Sequence, residues 1–165
     1  MRKQIILLNG SSSSGKSTLA KALQVLIEEQ RSETYEIVSI DDFLKMTSEE
    51  VIYEDDVFEI SASLCKKVMQ VFDENKGVII DHVITSERIF GQIKEAVSPN
   101  RLWMVNVTCP LEIIRKREQE RGDRCPGSAE ASYTYLFPKE GYDLTVDTHF
   151  MTLSDCANKI FEMIL

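Results

Sequence analysis

The chain has 165 residues, with 19 basic against 27 acidic side chains and a formal net charge of −8 at pH 7. This length suits one domain over residues 1–165, and 43% hydrophobic content supports a packed core and excludes general disorder. Such an acidic balance argues against sequence-independent binding to nucleic acid or to an anionic membrane, because both need a surplus of Lys and Arg.

Strands and helices alternate along the whole sequence. Short apolar runs indicate the strands, and apolar residues three and four positions apart indicate the helices. In chain order, the predicted elements are a strand over residues 3–8, a helix over 16–29, a strand over 35–40, a helix over 57–75, a strand over 78–80, a helix over 86–97, a strand over 102–107, a helix over 110–121, a strand over 142–146 and a helix over 152–164. This alternation predicts an α/β domain whose five-stranded parallel sheet is covered by helices on both faces.

Capping and turn residues refine several of these boundaries. Thr47 and Glu50 have the spacing of a capping box and indicate a further helix start. Pro110 suits the first turn of the helix that it opens. Because glycines and prolines recur through residues 122–141, we expect an irregular or mobile excursion there, which would form a short lid.

The sequence also predicts a cytoplasmic protein with reduced thiols. The apolar run over residues 5–8 is too short for a signal peptide, and no stretch is long enough to cross a membrane. The cysteines are too far apart in sequence for a typical metal site, so we expect them to be reduced and mostly buried. They are Cys65, Cys109, Cys125 and Cys156.

The residues between the first strand and the first helix match a phosphate-binding loop. Residues 10–17, GSSSSGKS, fit the pattern GxxxxGK[ST], in which successive backbone N–H groups and the helix dipole converge on phosphate groups. We expect Lys16 to reach the β- and γ-phosphates, Ser17 to bind Mg²⁺ and Thr18 to contact the α-phosphate. The alternative is a Ser-rich turn with a solvated lysine. The candidate nucleotide-binding residues are Gly10, Ser11, Ser12, Ser13, Ser14, Gly15, Lys16, Ser17 and Thr18.

Carboxylates are expected beside this loop, because the carboxyl ends of parallel strands share one edge of a sheet. Asp81 follows an apolar strand and is the candidate metal ligand with Ser17; its alternative role is to cap the strand end. Asp41 ends the second strand and is the candidate general base, which would take a proton from an attacking hydroxyl. Asp42 competes with Asp41 for that role, and either carboxylate could instead cap a helix.

The candidate acceptor pocket lies next to those carboxylates. Asp42, Phe43, His82 and Val83 are the candidate substrate-binding residues, with Ile84 as a further apolar wall. For the apolar side chains the alternative is packing against helices, and for His82 it is a structural role at the sheet edge.

The basic segment before the lid supplies candidate phosphoryl-stabilising groups. Arg121 and Arg124 stand at the start of the lid, where planar guanidinium groups could cover the transferring phosphoryl group and exclude water. Residues 115–117 suit a solvated helix face that pairs with neighbouring glutamates.

Several segments, in matching order, are similar to one enzyme family. They are residues 7–17 (LLNGSSSSGKS), 39–44 (SIDDFL), 78–83 (VIIDHV), 102–109, 121–124 (RGDR) and 140–148 (EGYDLTVDT). On these residues the chain resembles chloramphenicol 3-O-phosphotransferase and its relatives among small P-loop kinases. The resemblance implies a nucleotide-kinase-like core, with ATP and Mg²⁺ as cofactors and phosphoryl transfer to an antibiotic hydroxyl. It places the catalytic aspartate on Asp41, the phosphate loop on residues 10–18, the lid arginines on Arg121 and Arg124, and adenine contacts near Arg117 and residues 147–148.

The chain departs from this family pattern in the region that would choose the acceptor. His82 stands where a second acidic residue is expected, Asp42 and Phe43 replace a smaller pair, and residues 45–75 show little similarity. We therefore expect an ATP-dependent O-phosphotransferase acting on a small-molecule hydroxyl, with a chloramphenicol-like antibiotic as the first candidate. A metabolic kinase for a nucleoside, a sugar acid or a shikimate-like acceptor is one alternative, and a non-catalytic nucleotide-binding regulator is another. The absence of an NKxD motif argues against a GTPase of the common type.

Overall fold

A computed structural model describes residues 3–44 and 53–165 of the chain. Over these ranges it contains one five-stranded sheet in the order β2-β3-β1-β4-β5, with every neighbouring pair of strands parallel. The strands are β1 (Ile5–Asn9), β2 (Tyr35–Ser39), β3 (Gly77–His82), β4 (Leu102–Thr108) and β5 (Leu144–Asp147). The helices are α1 (Lys16–Arg31), α2 (Glu54–Asp73), α3 (Glu87–Val97), α4 (Leu111–Arg121), α5 (Ser128–Tyr135) and α6 (Leu153–Ile164). The predicted α/β fold with a five-stranded parallel sheet is confirmed.

The central strand β1 explains why the sheet is covered on both faces. Its apolar residues alternate between two cores: Ile6 and Leu8 pack with α1 and α6, while Ile5 and Leu7 pack with α2 and α3. All four side chains are completely buried. Burial of each side chain stabilises the folded state by about 1.5–3 kcal/mol relative to leaving it exposed. β1 therefore holds both helical layers against the sheet and fixes the point at which the chain leaves the sheet edge.

The second strand ends one residue earlier than predicted. β2 stops at Ser39, and Ile40–Asp42 form a single 3₁₀ turn. The Oγ atom of Ser39 accepts a hydrogen bond from the backbone N–H of Asp41 at 3.3 Å, which caps this turn. Asp41 therefore lies in a capped turn at the sheet edge. Because this turn is not extended, the alternation of side chains along a strand does not determine the direction of the Asp41 side chain.

The segment over residues 122–141 is more ordered than predicted, because it contains the helix α5. The carboxylate of Glu118 in α4 accepts hydrogen bonds from Gly127 N at 3.3 Å, Ser128 Oγ at 3.0 Å and Ala129 N at 2.9 Å. A helix this short is unstable alone, and these hydrogen bonds stabilise its N-terminus. Because the capping residue belongs to a different helix, local sequence patterns do not reveal it.

Other boundaries differ by a few residues. α2 begins at Glu54, three residues before the predicted start, and β5 begins at Leu144 instead of residue 142. Thr152 caps α6 as predicted, since its Oγ1 accepts a hydrogen bond from Asp155 N at 3.1 Å. The predicted capping box of Thr47 and Glu50 lies outside the described residues.

Two further sequence predictions can be placed. Cys65, Cys109 and Cys156 are buried, Cys125 is half-buried, and all four are free thiols. Within residues 3–44 and 53–165, no helix combines the length and the apolar character needed to span a bilayer.

Candidate active site

The carboxyl ends of β1, β2, β3 and β5 open into a cavity of about 1160 Å³. Loops that follow different strands meet at this edge because all the strands run in one direction. The cavity wall includes the phosphate loop together with Asp41, Asp81, Val83 and Arg121. The sheet thus brings together side chains from positions as distant in sequence as Ser12 and Leu153.

The phosphate loop makes a tight turn against β4. A Cβ atom on Gly10 would lie 2.2 Å from the Val107 carbonyl oxygen, so only glycine fits at that position. Gly15 has a φ of 94°, in the left-handed region that favours glycine, just before α1 begins. Most of the predicted loop residues line the cavity directly, and Gly10, Ser11 and Ser14 form the turn beneath them. The loop residues in the wall are Ser12, Ser13, Gly15, Lys16, Ser17 and Thr18.

Lys16 is held inside this loop. Its Nζ donates a hydrogen bond to the Ser11 carbonyl oxygen at 2.8 Å, and its side chain is almost fully buried. Burial lowers the pKa of Lys16, while the nearby carboxylates of Asp81 and Asp41 oppose that shift. An anionic ligand bound beside Lys16 would favour the charged form of the ammonium group, and the attraction between the two opposite charges would be strong in this desolvated site.

Asp81 joins the loop to β2. Its Oδ2 accepts hydrogen bonds from Ser17 Oγ at 2.7 Å and from Ser39 Oγ at 3.3 Å, and the residue is only 4% exposed. Hydroxyl and carboxylate oxygens are the ligands that Mg²⁺ prefers, so Ser17 and Asp81 fit the predicted metal site.

Asp41 faces the cavity from the turn after β2, and Arg124 binds it. The Arg124 Nη2 atom lies 2.9 Å from Asp41 Oδ2, with the arginine side chain 7% exposed and the aspartate 41% exposed. Arg124 also contacts Asp123 at 3.3 Å. Arg121 lines the cavity itself, whereas Arg124 is outside the wall and is joined to it through its ion pair with Asp41. The two predicted lid arginines thus occupy different places.

The structure separates the predicted substrate-binding residues. Val83 lines the cavity. Asp42 is exposed outside the cavity wall, and Phe43 packs against the core formed with α2 and α3. His82 is completely buried, and its Nε2 is 3.2 Å from Ser61 Oγ in α2. Burial lowers the pKa of His82 to about 3, so the imidazole is neutral and supports β3 and α2 from within.

Arg117 lies at the phosphate loop. The helical pattern favoured a solvated face for this residue, whereas the family resemblance placed adenine contacts near it. Its Nη1 donates to Thr148 Oγ1 at 3.0 Å and approaches the Ser13 carbonyl oxygen at 3.5 Å. The Thr148 hydroxyl in turn donates to the Ser14 carbonyl oxygen at 2.6 Å. α4, the loop and the end of β5 are therefore connected through these side chains, which periodicity alone could not show.

The wall opposite the loop is mostly apolar. Asn9, which the sequence analysis missed, organises it: its Oδ1 accepts from Ile84 N at 2.9 Å and its Nδ2 donates to the Phe137 carbonyl oxygen at 3.0 Å. The N–H of Phe137 also donates to the Ile84 carbonyl oxygen at 2.9 Å, which brings the end of α5 beside the loop after β3. The side chains of this wall are Ile40, Leu44, Glu54, Val57, Val83, Thr85 and Tyr135.

Comparison with known proteins gives a family for the sequence. A family model described as chloramphenicol phosphotransferase-like protein matches residues 3–164. Two proteins of Mycobacterium tuberculosis, from strains CDC 1551 and H37Rv, carry the provisional name O-phosphotransferase. Each is 27% identical to this chain over 186 residues, covering 96% of this chain and 81% of the relative.

Solved structures of kinases have the same fold as this chain. The APS kinase of Mycobacterium tuberculosis has a TM-score of 0.78 at 16% identity, covering 99% of this chain and 98% of that protein. A gluconokinase from Sinorhizobium meliloti 1021 has a TM-score of 0.74 at 16% identity, covering 99% and 93% of the respective chains. The architecture is thus that of a P-loop kinase.

Proposed function

Because the chain belongs to the chloramphenicol phosphotransferase-like family, we propose that it transfers the γ-phosphate of ATP to a hydroxyl group of a small, neutral, largely apolar molecule. Family and fold make it a P-loop phosphotransferase. The observation that carries the finer proposal is the position of Asp41, whose carboxylate shares one cavity with Lys16 and the phosphate loop.

The nucleotide would bind at the loop end of that cavity. Lys16 and the backbone N–H groups of the loop would hold the β- and γ-phosphates, with the N-terminus of α1 adding positive potential. The adenosine would extend toward Arg117 and Thr148, which line the same cavity. Ser17 and Asp81 would hold Mg²⁺. The bound ion would neutralise part of the charge on the phosphate groups.

Asp41 would act as the general base. The acceptor hydroxyl donates its proton to the Asp41 carboxylate while its oxygen forms a bond to the γ-phosphorus, and the bond from that phosphorus to the β,γ-bridging oxygen breaks. ADP leaves with the bridging oxygen. Arg124, 2.9 Å from Asp41, would keep the carboxylate oriented, and Arg121 would neutralise charge on the transferring group.

The wall facing Asp41 indicates the acceptor class. Ile40, Leu44, Val57 and Val83 present aliphatic surface, and Thr85 supplies a hydroxyl. Within the described part of this wall, no Lys or Arg side chain is available to bind a carboxylate or phosphate of the acceptor. A neutral molecule with an apolar body and an exposed hydroxyl fits this wall better than a sugar acid or a nucleotide does.

The proposal is tested by measuring ADP release against a panel of acceptors, with chloramphenicol first, then other neutral apolar alcohols, nucleosides and sugar acids. We expect ADP release that depends on a neutral apolar alcohol, with one phosphoryl group added to that alcohol by mass spectrometry. Tight ATP binding without turnover on any acceptor would instead indicate a nucleotide-binding regulator. Preferred turnover of a sugar acid would contradict the proposed acceptor class.

A further inference from the structure

The helix α5 rests on the phosphate loop through one hydroxyl group. The backbone N–H of Ser12 donates a hydrogen bond to Ser132 Oγ at 3.0 Å, and Ser132 Oγ donates to the Ala129 carbonyl oxygen at 2.9 Å. Ser132 is 8% exposed, yet both it and Ser12 line the cavity. The hydroxyl is therefore shielded from bulk water and open to the cavity.

This contact occupies a donor that a phosphate group would use. In a phosphate-binding loop the backbone N–H groups are the principal ligands of the phosphate oxygens. A hydroxyl group has one proton and can turn it from one acceptor to another. When a phosphate oxygen arrives beside Ser12, the Ser132 proton can leave the Ala129 carbonyl and point at that oxygen, which adds a charge-assisted hydrogen bond.

The position of Ser12 indicates which phosphate group comes to it. Ser12 is four residues before Lys16, so it lies on the part of the loop away from the N-terminus of α1. The inner phosphates would be held at that helix N-terminus. α5 runs from this contact to Tyr135, whose side chain lies on the acceptor wall. The terminal phosphoryl group would lie between the inner phosphates and the acceptor, and so it is the group expected beside Ser132.

α5 is also tied firmly to α4. In addition to the three hydrogen bonds that Glu118 accepts at its N-terminus, Glu130 pairs with Arg115 at 2.6 Å. A change at Ser132 therefore reaches α4, and with it Arg117 and Arg121.

From this geometry we propose that Ser132 binds the γ-phosphoryl group of the nucleoside triphosphate, so that ATP but not ADP strengthens the contact of α5 with the loop. This inference rests on the proposed function and adds a residue that distinguishes the triphosphate from the diphosphate. Its effect should be confined to the terminal phosphoryl group, because the hydrogen bond that joins Ser132 to the loop is at Ser12, away from the residues that begin α1.

The direct test replaces the hydroxyl in the full-length chain. We expect Ser132→Ala to weaken binding of a non-hydrolysable ATP analogue by about tenfold, the effect of one hydrogen bond to a charged group, while ADP affinity changes less than about twofold, both measured calorimetrically with Mg²⁺. Thr134→Ala is the matched control, since this exposed hydroxyl is on the same helix outside the cavity wall, and it should leave both affinities unchanged.

The outcomes separate this inference from the proposed function. If Ser132→Ala lowers ATP-analogue and ADP affinities equally, the hydroxyl only supports the loop and the inference is wrong. If neither nucleotide binds the unmutated chain, the proposed function itself fails.

A measurement on the unmutated chain covers the case in which the variant does not fold. Backbone amide NMR should show that the ATP analogue shifts both the Ser12 signal and the signals of residues 128–135, while ADP shifts the loop alone. Equal shifts of residues 128–135 with ADP and with the analogue would contradict a contact between α5 and the γ-phosphoryl group.

Discussion

The two ends of the cavity are built in different ways. The phosphate end is one continuous stretch of chain whose shape depends on two glycines, and its Lys16 side chain is almost fully buried. The acceptor end is collected from the turn after β2, from α2, from the loop after β3 and from α5, and its Tyr135 is 68% exposed. Binding of the phosphate donor is thus encoded locally, whereas choice of the acceptor depends on how distant elements pack.

The largest effect should come from removing the proposed base at the acceptor end. Asp41→Asn is expected to lower kcat for phosphoryl transfer at least ~100-fold, because the amide cannot accept the proton, while ATP affinity changes less than about twofold. Steady-state kinetics and calorimetry check the two quantities separately. Asp42→Asn, at the exposed neighbouring carboxylate, is the matched control and should keep kcat near that of the unmutated chain. Unimpaired turnover by Asp41→Asn would remove the base assignment.

A second change tests how closely the phosphate end is packed. Gly10→Ala should lower the free energy of unfolding by about 2–3 kcal/mol, because the new Cβ would lie 2.2 Å from the Val107 carbonyl oxygen, which is backbone that cannot easily move. Gly91→Ala in α3 is the control. It meets no atom within 4 Å and should raise the free energy of unfolding by about 0.5–1 kcal/mol. Urea denaturation measures both, and equal effects would show that the loop has room to adapt.

The buried histidine beneath the acceptor end should make stability depend on pH. Burial lowers the pKa of His82 from its ordinary 6.5 to about 3, so between these values the unfolded chain binds a proton that the folded chain does not. Stability should therefore fall as pH falls, by about 2 kcal/mol between pH 7 and pH 5 from this group.

The histidine prediction is checked by the slope of unfolding free energy against pH. His82→Gln should flatten that slope, whatever its effect on stability at pH 7. His149→Gln, at the exposed second histidine, is the matched control for the substitution. An identical slope in the unmutated chain and in His82→Gln would mean that the pKa of the buried imidazole does not differ between the folded and unfolded states.

The smallest effect should be confined to the phosphate end. Thr148→Val removes a hydroxyl that donates to the Ser14 carbonyl at 2.6 Å and accepts from Arg117 at 3.0 Å, and ATP affinity should fall about fivefold, near 1 kcal/mol. The KM for the acceptor should not change. Thr145→Val, on an exposed position of β5, is the control for the substitution itself. A change in acceptor KM would show that the two ends are coupled.

The sequence predicted the fold well because its strongest signals are local. Apolar runs and helical spacing gave the alternation of five strands with helices, and the capping residue Thr152 gave the start of α6. The helix α5, which the sequence analysis did not predict, shows the limit of such local signals. Its cap is Glu118 in α4, and a cap donated from another helix leaves no pattern within the eight residues that it stabilises.

Some residues of the candidate site were predicted correctly and others were not, again because sequence signals are local. Asp41 and Asp81 could be assigned to the cavity edge because each follows a predicted parallel strand, and both line the cavity. His82 also follows that rule, yet it turns inward to Ser61 of α2, and Phe43 packs into the core. Position along a strand predicts the edge of the sheet, but not the direction that a side chain takes beyond it.

The sequence by itself determined the parallel sheet and the loop at residues 10–17, because strand formation and a glycine-dependent turn are decided by residues that are neighbours in the chain. Only the tertiary structure decided that Arg124 binds Asp41, that Arg117 reaches Thr148 and that Ser132 rests on Ser12. These contacts join residues 31 to 120 positions apart. Their partners are selected by the packing of whole helices against the sheet, which no local pattern specifies.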